Sequence, residues 1–501
     1  MTDTTFVDKK TNIVASWLND VNAAVYRANK YALPSGPYRT QSAKNTDYIS
    51  VKDFGAVGDG VGDDTAAIQA TINYISTTVA GPGPGGTVYF PAGHYKLSAA
   101  VSLPYGVSVS GAGGVATFLE CYNCDGLHLV ETIENDGMQF IQDLQILGKS
   151  GTNFQGIVAS SGTFPTSEND GFYVERVQIN NFDIGINFNL TWHSYITHCI
   201  IHNVNTAILL GGNDVLITIR DNQLIHESGG PGAALNIGIN MTSTNTEANM
   251  FFNNFIYGFA TGMVLTAPWS TVVSDNTFLT AAAAGVSQIC LQFATAQEHL
   301  VIQNNIFEST ATTGSAVVGV LGTALFTPSN STTIIQNNRF RDDTGVGSSI
   351  GLQINNAGNT NQNRVIVQNN NFSGYSLFDF ACYNPIRVTI ENNNFESTAP
   401  TYSLYISGGS VGPIFVNQNW CAKNLQAEPV YLATGQIVLH NNVVGGAYTA
   451  VPPLTNTAPT TGTWAQGAIA YNNSPTSGTY VGWVCTVAGS PGTWKTFGLI
   501  S

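Results

Sequence analysis

The chain has 501 residues, with 17 lysines and arginines against 31 aspartates and glutamates and a formal net charge of -14. That balance excludes nucleic acid and anionic membrane as partners, since phosphate binding needs clustered cations, and no run of 18 apolar residues is present to span a bilayer. With 52 glycines and only 10% charged residues, the composition is that of a turn-rich all-β chain long enough to bury an extended core.

Residues 1 to 45 read as a small helical attachment segment. MTDTTFVDKK lacks an apolar signal core, which predicts synthesis in the cytoplasm without Sec export. Ser16 is placed to cap a helix whose Leu18, Val21 and Val25 share one face with Tyr26 beside them. Pro34, Gly36 and Pro37 then form a linker. A helix this short is marginal alone, so it is expected to pair with copies of itself or to dock on a partner.

From residue 46 to about 450 the chain reads as one solenoid. In SVKDFGAVGDGVGDDTAAIQATINYI, Asp63 or Asp64 caps a helix beginning near Thr65, and Ile68, Ile72 and Ile75 form its buried stripe. Such a helix closes the open end of a stack of strands. GGTVYFPAGHYKLS follows as strand, Pro91-Ala92-Gly93 turn and strand, with His94 a surface residue. Cys121 and Cys124 make one CxxC, but no second pair or nearby histidine completes a zinc site. The seven cysteines suit a reducing compartment and unpaired burial, and no metal or other cofactor is expected.

The recurring phrases VIQNNIF, IIQNNRF, IVQNNNF and TIENNNF fix the architecture. Their second asparagines are Asn305, Asn338, Asn370 and Asn393, and looser copies centre on Asn222, Asn254, Asn276, Asn419 and Asn442. Each unit is several strands of three to five residues punctuated by Asn, Gly and Ser, too short to bury its own apolar face, so the units must stack. Stacked in register at about 4.8 Å per coil, the asparagines would form an amide ladder. The fold class predicted is a right-handed parallel β-helix. Placing Ile302 inward sends Val301 and Gln303 outward. On other coils the outward pairs are Tyr173 and Glu175, Tyr195 and Thr197, Thr218 and Arg220, Met250 and Phe252, Val272 and Ser274, and Ile334 and Gln336. Met250, Phe252, Val272, Val301 and Ile334 then make an apolar stripe, which predicts either a subunit interface or a covering loop.

Seven residues before each marker, with Val177 and Cys199 taken as markers on the earlier coils, lie Asp170, Trp192, Val215 with Asp214 beside it, Glu247, Trp269 and Glu298. Tryptophan offers a flat apolar face that stacks on a pyranose, and two carboxylates divide glycosidic cleavage between acid and base or nucleophile. Asp214, Glu247 and Asp170 are the catalytic candidates, and Trp192, His193, Tyr195, Arg220, Trp269 and Glu298 the substrate-binding ones. Histidines give a rival: His193, His198 and His202 cluster around Tyr195, and His226 precedes Glu227. A lyase needs such a base and a cation, for which Arg220 is the outward candidate. The acidic balance favours hydrolysis over action on a strongly anionic polymer. Residues 451 to 501, entered through Val451-Pro452-Pro453, form a small C-terminal β module with Trp464, Trp483 and Trp494 as its expected core.

DFGAVGDGVGDDTAAIQATI followed by GGTVYFPAGHYKL resembles the opening of the pectate-lyase-like β-helix superfamily. TTFVDKKTNIVASWLNDVNAAVYRA resembles the virion-attachment segment of bacteriophage tailspikes, and the C-terminal module is similar to the short β modules that end tailspikes and fibres. Together the resemblances imply a homotrimeric tailspike in the phage virion that binds and cleaves a bacterial surface polysaccharide, capsule or O-antigen. They also imply attachment to other tail proteins through the N-terminal segment. A glycan-gripping fibre that does not cut and a cellular pectinase or lyase are the alternatives; the second is disfavoured by the missing secretion signal.

Overall fold

The computed structural model describes residues 30–31, 39–40 and 48–501, with these segments of the latter outside the description: 80–85, 132–137, 162–168, 213, 228–235, 243–245, 282–285, 295–298, 310–315, 324–331, 344–347, 356–363, 385–386, 399, 408–412, 423–424, 428–436, 441, 445–446, 449–453, 461–463 and 465. The N-terminal helix expected from Ser16 lies outside the described residues; Lys30–Tyr31 and Arg39–Thr40 pair antiparallel.

Short strands wind into a parallel β-helix, right-handed as parallel crossover connections require. Each coil crosses three sheets. The first contains Tyr195–Thr197, Thr218–Arg220, Met250–Phe252, Thr271–Ser274 and His299–Gln303. The second contains Ile200–His202, Gln223–Ile225, Phe255–Tyr257 and Thr277–Thr280. The third is a ladder of 13 parallel strands. The outward column of the first sheet reads Tyr173, Tyr195, Thr218, Met250, Val272, Val301 and Ile334 in register, as the two-residue period requires.

The asparagine ladder occupies the corner between the first and second sheets. Asn222 donates to Asn254, Asn254 to Asn276, and so on through Asn305, Asn338, Asn370, Asn393 and Asn419 to Asn442, with Nδ2 to Oδ1 distances of 2.9–3.1 Å. Each Oδ1 also takes the backbone N–H of the preceding rung, as Asn338 Oδ1 does from Asn305 at 2.9 Å. The doubled asparagine of the repeat has a division of labour. The first, at Asn304, Asn337, Asn369 and Asn392, adopts φ between 53 and 57°, a left-handed conformation that asparagine tolerates; the second enters the ladder.

Inside, Phe278, Phe307, Phe340, Phe372 and Phe395 stack one per coil with centroids 4.4–5.1 Å apart. Helix α1, Thr65–Tyr74, caps the first coil with Ile68 and Ile72 buried, and Ile75 follows them into the core. The capping role divides between the two candidate aspartates: Asp63 takes the Thr65 N–H at 3.0 Å, while Asp64 reaches back to the N–H groups of Val57 and Gly58. Val51 to Phe54 forms a 3-10 turn held by a reciprocal Ser50–Asp53 capping box. The C-terminal strands Leu454–Thr455, Ile469–Asn472, Tyr480–Val487 and Thr493–Leu499 make a four-stranded sheet. Its tryptophans are half-buried, Trp464 and Trp494 meeting edge to face at 5.3 Å. The fully buried apolar side chains of that sheet are Ala470 and Cys485, so the expected tryptophan core is a partly open one.

Candidate active site

The corner where the third sheet returns to the first carries one continuous parallel ladder. Asp170 pairs with Trp192, Trp192 with Val215, Val215 with Glu247 and Glu247 with Trp269. At about 4.8 Å per rung, Trp192 and Trp269 are roughly 14 Å apart along the helix axis, as are Asp170 and Glu247. Residues of a parallel ladder present their side chains to the same side, so this edge is a row. Trp192 and Trp269 are half-buried and Glu247 is exposed. Glu298 lies outside the described residues.

A sharp left-handed turn follows each rung: Gly171, His193, Leu216, Ala248 and Ser270 have φ of 77, 47, 56, 55 and 47°. Such a conformation costs energy for leucine and alanine, which lack the short polar side chain that eases it. The turn projects the ladder residues at the vertex and turns the chain at once into the first sheet. The residue after it helps satisfy the corner: Ser194 Oγ takes the Phe172 N–H at 3.0 Å, and Asn249 Oδ1 takes that of Ile217 at 2.8 Å.

Asp214 departs from its expected place. It sits one residue before Val215, so its side chain points the other way along the period of two, into the molecule, where it is 0% exposed. Its Oδ1 accepts the Thr191 N–H and Oγ1–H, both at 2.9 Å, and its Oδ2 accepts the Gly212 N–H at 3.2 Å. Burial pushes its carboxyl up to about 6, against these bonds, which pull it down. The expectation that Asp214 faces a substrate is therefore corrected: it pins the entry of the corner strand and does not reach the groove.

Next to the row, on the outer face of the first sheet, Tyr173 and Tyr195 stack at 4.4 Å with their planes 22° apart, two rungs and one rung respectively before Thr218, whose strand carries Arg220. Burial raises the Tyr173 phenol, its Tyr195 neighbour adds to this, and Arg220 works against it. Arg220 is exposed and lies 3.8 Å from Asp221; His198 Nε2 lies 3.9 Å from the same carboxylate. His198 is thus a surface ring on a left-handed residue, φ 54°, while Cys199 beside it is buried. Arg176 is clamped by Asp143 through two bonds of 2.7 and 2.9 Å. His226 is buried with Nδ1 on the Val204 carbonyl, and His202 faces Glu227 at 3.5 Å. The four histidines therefore do not converge. Tyr173 is the member of this group that counting back from the repeat left unassigned; its outward position was the available signal. His94 is a surface residue, as expected; it stacks on Phe118 at 4.3 Å and bonds Glu120, which Lys149 also contacts at 3.1 Å. Among the described residues no group of three or more His, Cys, Asp or Glu side chains is arranged to hold a metal ion. All seven cysteines are free and buried.

Comparison with known proteins gives two family matches: residues 48–155 match "Rhamnogalacturonase A/epimerase, pectate lyase-like", and residues 184–359 match "Right handed beta helix region". The tail spike protein of Shigella phage Sf6 is 26% identical over 195 residues, which cover 38% of this chain and 31% of that protein. Alginate lyase 7 of Azotobacter vinelandii is 30% identical over 223 residues, covering 42% and 23% respectively. The chain thus spans less than a third of the length of either relative. Among solved structures, a mutant tailspike protein of E. coli bacteriophage HK620 in complex with pentasaccharide aligns over 85% of each chain at 12% identity with a TM-score of 0.56, which shows a shared fold. The resemblances to pectate-lyase-like β-helices and to phage tailspikes are borne out by these matches.

Proposed function

We propose that this protein is a phage tailspike that binds a bacterial surface polysaccharide, capsule or O-antigen, and depolymerises it by endo-glycosidic hydrolysis. The observation that carries the reading is the corner ladder, where acids and tryptophans share one rigid edge of the solenoid. Two indole faces roughly 14 Å apart suit an extended glycan laid along the helix axis, each ring taking the apolar face of a sugar. Glu247 is the general acid and Asp170 the base that activates water. Their backbones are about 14 Å apart, so the wide spacing of about 6.5–9.5 Å used by inverting enzymes requires both carboxylates to lean toward each other along the stack when the glycan is bound. Likeness to the Sf6 tail spike protein supports the same reading.

A second reading, a lyase acting by β-elimination, is favoured by the placing of the tyrosine stack one rung from the strand of Arg220 and by the match to alginate lyase 7. There, a tyrosine would take the proton beside a uronate carboxylate that Arg220 neutralises. Paired variants separate the two. Under hydrolysis, Glu247→Gln and Asp170→Asn each lower kcat by about 100-fold or more with little change in KM, and Tyr195→Phe with Arg220→Gln leaves kcat within a few-fold. The reverse pattern would move the chemistry to the tyrosine face, and full activity in all four would remove both assignments.

A further inference from the structure

A cleft of about 170 Å³ opens at the third vertex of the coil, between the second and third sheets and away from the corner ladder. It arises from a local irregularity. The strand Gln139–Ser150 shifts register against its neighbour between Gly148 and Ser150, and an inserted residue of this kind lifts the chain off the stack. Gly151, at φ 91°, then turns the segment outward over Phe154. The coils above turn tightly at Asn181 and Asn203, both left-handed, so the raised segment overhangs a notch that they floor.

The notch is lined by polar groups, by the rings of Phe154 and Phe182, and by Cys124. Asp183 Oδ1 accepts from Asn205 Nδ2 at 2.6 Å, and the Asp183 backbone is held in turn, its N–H on the Phe154 carbonyl at 2.8 Å and its own carbonyl taking the N–H groups of Asn205 and Thr206. Asn205 Oδ1 is buried with no hydrogen-bond partner, and the Asp183 carboxylate to which the Asn205 amide donates is the acceptor that the notch presents to a ligand. Ser150 and Thr152 stand exposed at the rim, and Phe154 is half-buried in the wall. Among the described residues no lysine or arginine lines the cleft; the adjacent Lys149 is engaged with Glu120.

We propose that this cleft is a second, accessory carbohydrate site that takes one neutral pyranose residue. Its volume holds about a dozen water-sized positions, close to the heavy-atom count of one hexose and too small for a chain to thread. It would therefore take a side branch or a chain end of a glycan. An aromatic wall with a carboxylate and an amide at its floor is the chemistry for one sugar ring, CH face on the ring and vicinal hydroxyls on the acceptors. A single carboxylate with no cation disfavours uronate or phosphate.

The site is independent of cleavage in the groove, and its test reads binding alone. Ligand-observed saturation-transfer NMR on the full chain would use glucose, galactose, mannose, rhamnose and N-acetylglucosamine, with glucuronate as the anionic control. At least one neutral sugar is expected to bind with Kd of about 1–10 mM. Binding should fall at least about 10-fold in Asp183→Asn, which keeps the bond from Asn205, and in Thr152→Trp, which fills the notch from an exposed position. The part of the binding that Asp183→Asn and Thr152→Trp remove should persist in Trp192→Ala and Glu247→Gln, whatever binding the groove itself loses. Binding lost only in the groove variants, tighter binding of glucuronate, or no binding by any neutral sugar would overturn the proposal. Failure of glycan cleavage with this pattern intact would count against the proposed activity and leave the cleft standing.

Discussion

At the scale of single residues, adjacent side chains do different work on the two faces of one turn. Val215 and Asp214 are neighbours in sequence, yet one stands in the outward ladder and the other is sealed beneath it. Asp214→Asn places an amide N–H against the Gly212 N–H, so it should cost about 1–3 kcal/mol of stability while leaving kcat nearly unchanged, a split that thermal melts and turnover measured on the same sample would show. Asp379 is a second sealed carboxylate, occupying the third-sheet position that Gly351 fills one coil earlier, and burial pushes it up to about 8 although Ser397 and Ser403 beside it pull it down. With a folded pKa above the unfolded value of about 3.9, its contribution to stability is fully present below pH 4 and is lost as pH rises through 8. Asp379→Asn should therefore raise Tm by a few degrees at pH 8 and converge with the parent near pH 4; parallel melting curves at all pH values would contradict this.

At the scale of elements, the asparagine ladder and the phenylalanine stack make the solenoid specific in register. Asn338→Ala removes the acceptor for Asn305 N–H and Nδ2 and the donor to the Ile302 carbonyl and to Asn370 Oδ1, while Asn305 Nδ2 keeps the Val273 carbonyl and Asn370 Oδ1 keeps the Asn338 N–H. A loss of about 2–5 kcal/mol follows, read as a lower midpoint in urea, whereas Asn304→Asp, outside the ladder and in a conformation aspartate also tolerates, should change little. Much of this level was legible beforehand. Repeats of VIQNN type fix which residue points inward, because the side-chain period is two and a one-residue slip would expose every apolar side chain. Capping by Asp63 and the stripe of Ile68, Ile72 and Ile75 were readable for the same reason, being local. What the pattern left open was non-local: counting could place Asp214 beside the ladder but could not choose its face, and the stacking of Tyr173 on Tyr195 depends on two coils meeting. The notch over Phe154 arises from a register shift that has no counterpart in the repeat.

At the scale of the whole molecule, the first sheet presents a band that a lone chain would leave uncovered. Phe140, Met250 and Phe415 are 37, 38 and 44% exposed along one outward column. Extended apolar bands of this kind mark interfaces. A homotrimer, as the tailspike resemblance implies, would bury it and would put the corner ladder at the rim of each subunit contact. Met250→Lys with Val301→Lys should then shift the mass measured by light scattering from three chains toward one, and an unchanged mass would assign the band to something other than self-association.

The most direct test of the account is to incubate the protein with purified surface polysaccharide from a bacterial strain to which it adsorbs, following new reducing ends together with the ultraviolet absorbance of unsaturated uronate. Hydrolysis in the groove predicts reducing ends that accumulate without absorbance and that vanish in Glu247→Gln. Reducing ends accompanied by absorbance, or adsorption with neither signal, would contradict it.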